Sequence, residues 1–281
     1  MKVAKDNKFY SLSLYIIINF ISIVFLLPFI WLIITSLKPR GQVFTNPLEW
    51  IPNPVMWSNY YQALFETSSF QFISLLNNTL FYTISSTFGI VISSAIVAYA
   101  FARLEFFGKK TLFWITISTM LLPGVVLLIP RYLLFHKFGW VGTYAPLIVP
   151  YFFGNAFNIF LLRQFMLTIP LELSDAAKID GANEFQIFLK VILPLVKPAL
   201  MVVAVFHFIY TWNDFLEPLI YLDEADEYPL VLGLSSFQTR HQVKWHLMMA
   251  ASMAVTIPMI ILFFVAQKQF IQGIATTGIK N

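Results

Sequence analysis

The chain has 281 residues, of which 58% are hydrophobic and 11% charged, with a mean hydropathy of +0.74. A soluble domain of average make-up has about a quarter of its residues charged, so a chain this apolar cannot clothe itself in polar surface and reads as a membrane protein. The net charge of +4 is too small to point to nucleic acid, and the lack of cysteine excludes a disulfide framework and thiolate metal sites.

Crossing a hydrocarbon core of roughly 30 Å takes about 20 apolar residues. Six stretches qualify, at about residues 12–35, 72–101, 111–129, 143–162, 200–222 and 245–266. They predict an all-α membrane protein with six transmembrane helices in one membrane domain over residues 1–281. Lys2, Lys5 and Lys8 precede the first stretch as they would in a signal peptide. That stretch is too long and has no small-residue cleavage site, so it reads as a retained anchor. Pro28, Pro123, Pro150, Pro218 and Pro258 fall inside the stretches, where neighbouring helices can satisfy the carbonyls that proline frees.

With a cytoplasmic N-terminus, the inner segments hold twelve lysines and arginines and the outer ones six, including Lys38, Arg40, Arg131, Lys137, Arg240 and Lys244. The positive-inside rule then places both termini in the cytoplasm of a multi-pass cell-membrane protein. The outer loop Asp223–Lys244 carries an acidic cluster, Asp223 to Glu227.

Between the fourth and fifth stretches lies a polar insert, about residues 163–198, on the same predicted cytoplasmic side. Pro170 suits a first helical turn, Glu172 and Asp175 suit the positive end of that helix, and Ala176 and Ala177 would let a partner approach closely. Gly181 is placed to stop the helix in a left-handed conformation. A second helix is predicted with Phe185, Phe188, Leu189 and Ile192 on one apolar stripe. The whole reads as a helix–turn–helix lever that could lie in a partner's groove. A helix resting on the bilayer would satisfy the pattern too, although Glu172, Asp175, Asp180 and Glu184 make the segment acid-rich where bilayer-surface helices are basic.

The run Asp175-Ala176-Ala177-Lys178-Ile179-Asp180-Gly181-Ala182, with Val191-Ile192-Leu193-Pro194 following nine residues after Gly181, resembles the EAA loop of ABC importer permeases. Two positions depart from that pattern, Asp175 for glutamate and Val191 for isoleucine. Further runs are similar to the carbohydrate branch, in particular to the second permease of maltose-type systems. They are Ala98-Tyr99-Ala100-Phe101-Ala102-Arg103, Asn158-Ile159-Phe160-Leu161-Leu162-Arg163-Gln164-Phe165, Trp212-Asn213-Asp214-Phe215 and Pro218-Leu219-Ile220-Tyr221. The resemblance implies a MetI-like fold and a heterodimer with a homologous permease subunit. It also implies two cytoplasmic ABC ATPase subunits, an extracytoplasmic solute-binding protein and a sugar or oligosaccharide cargo. Asp175, Ala176, Ala177, Asp180, Gly181 and Ala182 would dock on the ATPase. The Asp223–Lys244 loop is a candidate contact for the binding protein on the same analogy.

Charged and polar groups inside a span are costly and are usually paired or functional. His207, Asn213, Asp214 and Glu217 on the fifth stretch, with Asn155 and Asn158 on the fourth and Asn77 and Asn78 on the second, are such groups. They read either as a polar translocation path, with Trp212 offering a ring face, or as interhelical hydrogen bonding that fixes packing. His136, His207, His241 and His246 have no metal-ligand spacing, no catalytic constellation stands out, and there is no phosphate-binding Gly-x-x-x-x-Gly-Lys loop. Neither metal, cofactor nor enzyme activity is therefore expected of this chain, and ATP with magnesium would be bound by partner subunits. The rival functions are an ABC permease for a non-sugar solute and an ion-coupled secondary transporter, the latter predicting inverted repeats that the sequence does not display.

Overall fold

The computed structural model describes residues 8–238 and 242–277. Lys2, Lys5, Arg240, His241 and Lys280, which entered the charge and metal arguments, lie outside the described residues. So does part of the 223–244 loop. The regular structure of the described residues is helical, apart from an isolated antiparallel bridge between Gln238 and Val243.

The packing divides into two compact units, residues 1–71 with 234–257 and residues 72–233 with 258–281. In the first unit, helix α1 (Lys8–Ser36) runs unbroken through Pro28, and its apolar side chains from Leu12 to Leu27 are largely exposed. After α1 the chain turns on buried polar groups. The Asn59 amide donates to the carbonyls of Ser36 and Lys38, both at 2.9 Å. The buried Lys38 ammonium sits 4.8 Å from the centre of the Trp31 ring.

The second unit is organised on α2 (Phe72–Arg103), whose buried face includes Leu75, Thr79, Tyr82, Ser86 and Ile90 at helical spacing. Towards its C-terminus Ala95, Ala98 and Ala102 present almost no side chain. This lets other helices approach closely, as small residues do in membrane bundles. Leu162, Met166, Ile187, Phe188 and Ile192 join them in one buried cluster.

Among the described residues four helices are long and apolar enough to cross a membrane, and there are six if each of two bent pairs counts as one span. The predicted span 111–129 is one of those pairs. α3 (Lys109–Ser118) ends in a 3-10 turn, and α4 (Gly124–Lys137) follows after a bend of 102°. Pro123 causes the break, because its ring disfavours helical backbone at the residue before it. Leu122 is accordingly extended, at φ −81°, ψ 115°.

The predicted span 143–162 starts as a short helix and a 3-10 turn, and Gly154 then takes φ +84°. α5 (Ala156–Leu167) completes it, five residues beyond the predicted end. The predicted span 200–222 is also not continuous. α7 (Lys197–Trp212) stops at Asn213, and a separate short helix, α8 (Leu216–Tyr221), follows. Between these spans lies the polar insert, with α6 (Glu172–Ile179) and a helical segment over Glu184–Leu195 that meets α7 at 76°. α9 (Trp245–Thr277) closes the described chain, with Pro258 inside it.

Candidate functional site

The insert holds α6 out from the core. Glu172 and Asp175 occupy its first turn, as the sequence suggested, where the helix dipole favours carboxylates. Its C-terminus is a Schellman cap. Gly181 adopts φ +83°, its N–H donates to the Lys178 carbonyl at 3.0 Å, and the Ala182 N–H reaches back to Ala177 at 2.9 Å. Asp175, Ala176, Asp180 and Gly181 are exposed, whereas Ala177 and Ala182 pack partly against the buried cluster. Leu171 and Ile179 also face outward, at 61% and 87% exposure, so apolar surface flanks the motif. A groove of about 390 Å³ runs beside the turn, lined by Asp180, Gly181, Gln186 and Lys190.

Behind this surface the predicted stripe of Phe185, Phe188, Leu189 and Ile192 is corrected. Ile187, Phe188 and Ile192 are buried, while Phe185 and Leu189 are exposed at 69% and 41%. The inner face is Ile187, Phe188, Val191 and Ile192, an i, i+1, i+4, i+5 set turned round the helix from the predicted stripe, and a π-helical turn spans Phe188–Ile192. Asn183 begins the segment with a capping box, its side chain accepting from Gln186 N–H while the Gln186 side chain accepts from Asn183 N–H.

The insert is tied to the end of α2 by side chains. Glu184 accepts from the Tyr99 hydroxyl at 2.7 Å and from the Lys178 ammonium at 2.9 Å. That carboxylate raises the Lys178 ammonium above the usual lysine range. Arg103 donates to the carbonyls of Met166 and Ile169, at 2.8 and 2.7 Å, and so pins the strand of chain that leads into α6.

The second unit also contains a polar cavity of about 430 Å³ among α2, α4, α5 and α7. Arg131, Tyr151, Asn155, Asn158, His207, Tyr210 and Glu217 line it, together with Phe157 and Phe206. A neighbouring cavity of about 250 Å³ takes in Asp214 and shares Arg131, Tyr210 and Glu217 with the first. Arg131 and Glu217 pair at 3.1 Å, and the Tyr82 hydroxyl donates to Asp214 at 2.9 Å. The His207 ring lies against Tyr151, with centroids 4.4 Å apart. His207 Nε2 and Glu217 Oε2 are enclosed and have no protein hydrogen-bond partner among the described residues.

The six residues predicted for a translocation path divide. Asn155, Asn158 and His207 line the larger cavity and Asp214 the smaller. Asn155 has in addition a local duty as the cap of α5, accepting from the N–H groups of Phe157 and Asn158. Asn213 lines neither cavity. Its amide donates to the Ile209 carbonyl at 2.8 Å and ends α7. Trp212 does not present its ring, being 1% exposed and stacked on Phe208. Asn78 serves packing, donating to the backbone of Asp226 and Tyr228. Arg131, Tyr82 and Tyr151 escaped the sequence reading. The charge count places Arg131 in an outer segment, yet α4 carries it past Pro130 and into the cavity wall. An arginine between Leu127-Leu128-Ile129 and Leu133-Leu134 was the available signal.

Residues 87–276 match the model of the family described as binding-protein-dependent transport system inner membrane component. The arabinooligosaccharides transport system permease protein AraQ of Halalkalibacterium halodurans is 30% identical over 93% of this chain and 94% of its own length. The diacetylchitobiose uptake system permease protein DasC of Streptomyces coelicolor is 31% identical over 94% and 95%. Among solved structures, a bacterial ABC transporter involved in the import of the acidic polysaccharide alginate has a chain that aligns at TM-score 0.82. It covers 94% of this chain and 97% of that one at 24% identity.

Proposed function

The chain belongs to the family of inner membrane components of binding-protein-dependent transport systems, and from that premise we propose that it carries a sugar or oligosaccharide through the polar cavity of its second unit. It is a multi-pass ABC importer permease and not an enzyme. The observation that carries the cargo assignment is the cavity itself. Enclosed polar atoms on His207 and Glu217 stand beside the rings of Tyr151, Tyr210 and Phe206. Hydroxyls of a sugar can satisfy the first and its C–H faces can lie on the second. The names of relatives such as AraQ and DasC support the same cargo class.

Six spans, with both termini and the insert in the cytoplasm, complete the reading. α6 is the element that engages an ABC ATPase, through Asp175 to Ala182. Two such ATPases bind ATP and magnesium, a homologous permease completes the path, and an extracytoplasmic binding protein delivers the cargo. ATPase closure pushes α6, and the Glu184 and Arg103 contacts pass the motion to α2.

The test is uptake of labelled oligosaccharides by the reconstituted importer, the cargo having first been identified by thermal-shift screening of its binding protein. Asn158→Leu and His207→Phe are expected to lower uptake at least tenfold while the variants still co-purify with the ATPase. Unchanged uptake in both would place the path elsewhere.

A further inference from the structure

A concavity of about 720 Å³ lies away from the polar cavity, where α2 ends and α3 begins. Lys109, Lys110 and Arg163 line it together with Glu105, Phe106 and Trp114. Three cations against one carboxylate leave two positive charges in the pocket. Glu105 is engaged by Lys109 at 2.9 Å. Lys110 has no carboxylate partner among the described residues, and neither does Arg163. Arg163 is held in place instead, its Nε donating to the Phe101 carbonyl at 3.2 Å and its guanidinium lying 4.2 Å over the Phe113 ring.

The surroundings are those of a bilayer interface. A 32-residue apolar helix ends at Arg103, and the next apolar run begins at Lys109. Phe107 is fully exposed and Trp114 is 67% exposed, and tryptophan rings gather at the headgroup level. Basic pockets between membrane helices bind anionic headgroups. A soluble phosphate would match the two free cations but would leave the aromatic rim without a partner.

We propose that this pocket binds the phosphodiester headgroup of an anionic glycerophospholipid, with Lys110 and Arg163 on the phosphate and the acyl chains against Phe106 and Trp114. The proposal does not depend on the cargo or on which leaflet the pocket faces.

Native mass spectrometry of the purified transporter complex, titrated with phosphatidylglycerol and in parallel with phosphatidylcholine, tests it. Lys110→Gln and Arg163→Gln are each expected to weaken phosphatidylglycerol binding about fivefold, the effect of one basic residue near an anionic surface, and to leave phosphatidylcholine binding unchanged. Arg163→Lys is expected to keep most of the preference, which separates loss of charge from loss of the Arg163 contact to Phe101. Equal phosphatidylglycerol binding by wild type and Lys110→Gln would overturn the proposal. So would equal losses for both lipids, or displacement of phosphatidylglycerol by millimolar inorganic phosphate, which would mark a soluble-anion site. Photo-crosslinking from position 110 that yields only a protein adduct would assign the face to a protein partner and overturn it as well.

Discussion

Replacing Gly181 separates two reasons for having a glycine at the end of α6. A Cβ built at this position meets nothing within 4 Å, so crowding inside the chain contributes nothing. What remains is the backbone, at φ +83°, where an L-residue with a Cβ is strained by roughly 1–2 kcal/mol. Gly181→Ala should therefore shift the capped turn towards open forms by about 5- to 30-fold. Asparagine tolerates the left-handed region, so Gly181→Asn should lose much less. Hydrogen exchange reads this directly, because the Gly181 and Ala182 amides are the two donors of the cap. Both should exchange several-fold faster in the alanine variant, with the asparagine variant near wild type, and uptake should follow the same order. If asparagine proved as harmful as alanine, strain would not be the cause. A partner surface lying too close to admit any side chain would then explain the glycine.

Glu184→Gln and Tyr99→Phe should each loosen the insert, with a coupling energy between them of about 1 kcal/mol in thermal unfolding. That is below the roughly 1.5–3 kcal/mol of a hydrogen bond to a charged group, because the Glu184 side chain is 45% exposed. Additive losses would show that the two do not act together. Gly233→Ala would put a Cβ 2.5 Å from Cδ1 of the buried Leu75. Overpacking of this kind costs about 1–3 kcal/mol, so the melting temperature should fall and Leu75→Val should restore part of it. Glu217→Gln should cost about 1 kcal/mol by leaving Arg131, whose side chain is 34% exposed, without its carboxylate, whereas Arg131→Met with Glu217→Met should be milder than the single change. A double variant less stable than Glu217→Gln would refute the pairing argument.

Local features were readable in the sequence. The end of α6 at Gly181 needs only a glycine after a short helical run, and the first-turn carboxylates need only the helix dipole. Features that depend on distant partners were not readable. Arg131 and Glu217 stand 86 positions apart, and only the fold makes them a pair. Segment 184–195 offers two overlapping apolar stripes, one through Phe185 and Leu189 and one through Ile187 and Val191, and only packing against the buried cluster selects the second. Asn155 and Asn213 both interrupt apolar runs, and only Asn155 lines the larger cavity. Both cap a helix end, a short-range duty that composition cannot separate from contact with cargo.

Those caps also explain why the polar cavity is where it is. Backbone that leaves the helix within a membrane protein exposes donors and acceptors, and this is tolerated only where protein buries it or where it lines a polar space. Three departures from helix occur along the predicted spans, at Leu122–Pro123, at Gly154–Asn155 and at Asn213–Phe215. Each delivers a residue to a cavity wall. Gly124 follows the first, Gly154 and Asn155 make the second, and Asp214 and Glu217 come from or just after the third. α4, redirected by the first break, carries Arg131 to Glu217. Pro123, Gly154 and the Asn213–Phe215 segment, which interrupt helices that could otherwise run on, are thus where a polar space opens in an apolar chain. Restoring helix at any one of them, as Pro123→Ala would at the first, should shrink the cavity before it alters the outer, lipid-facing surface.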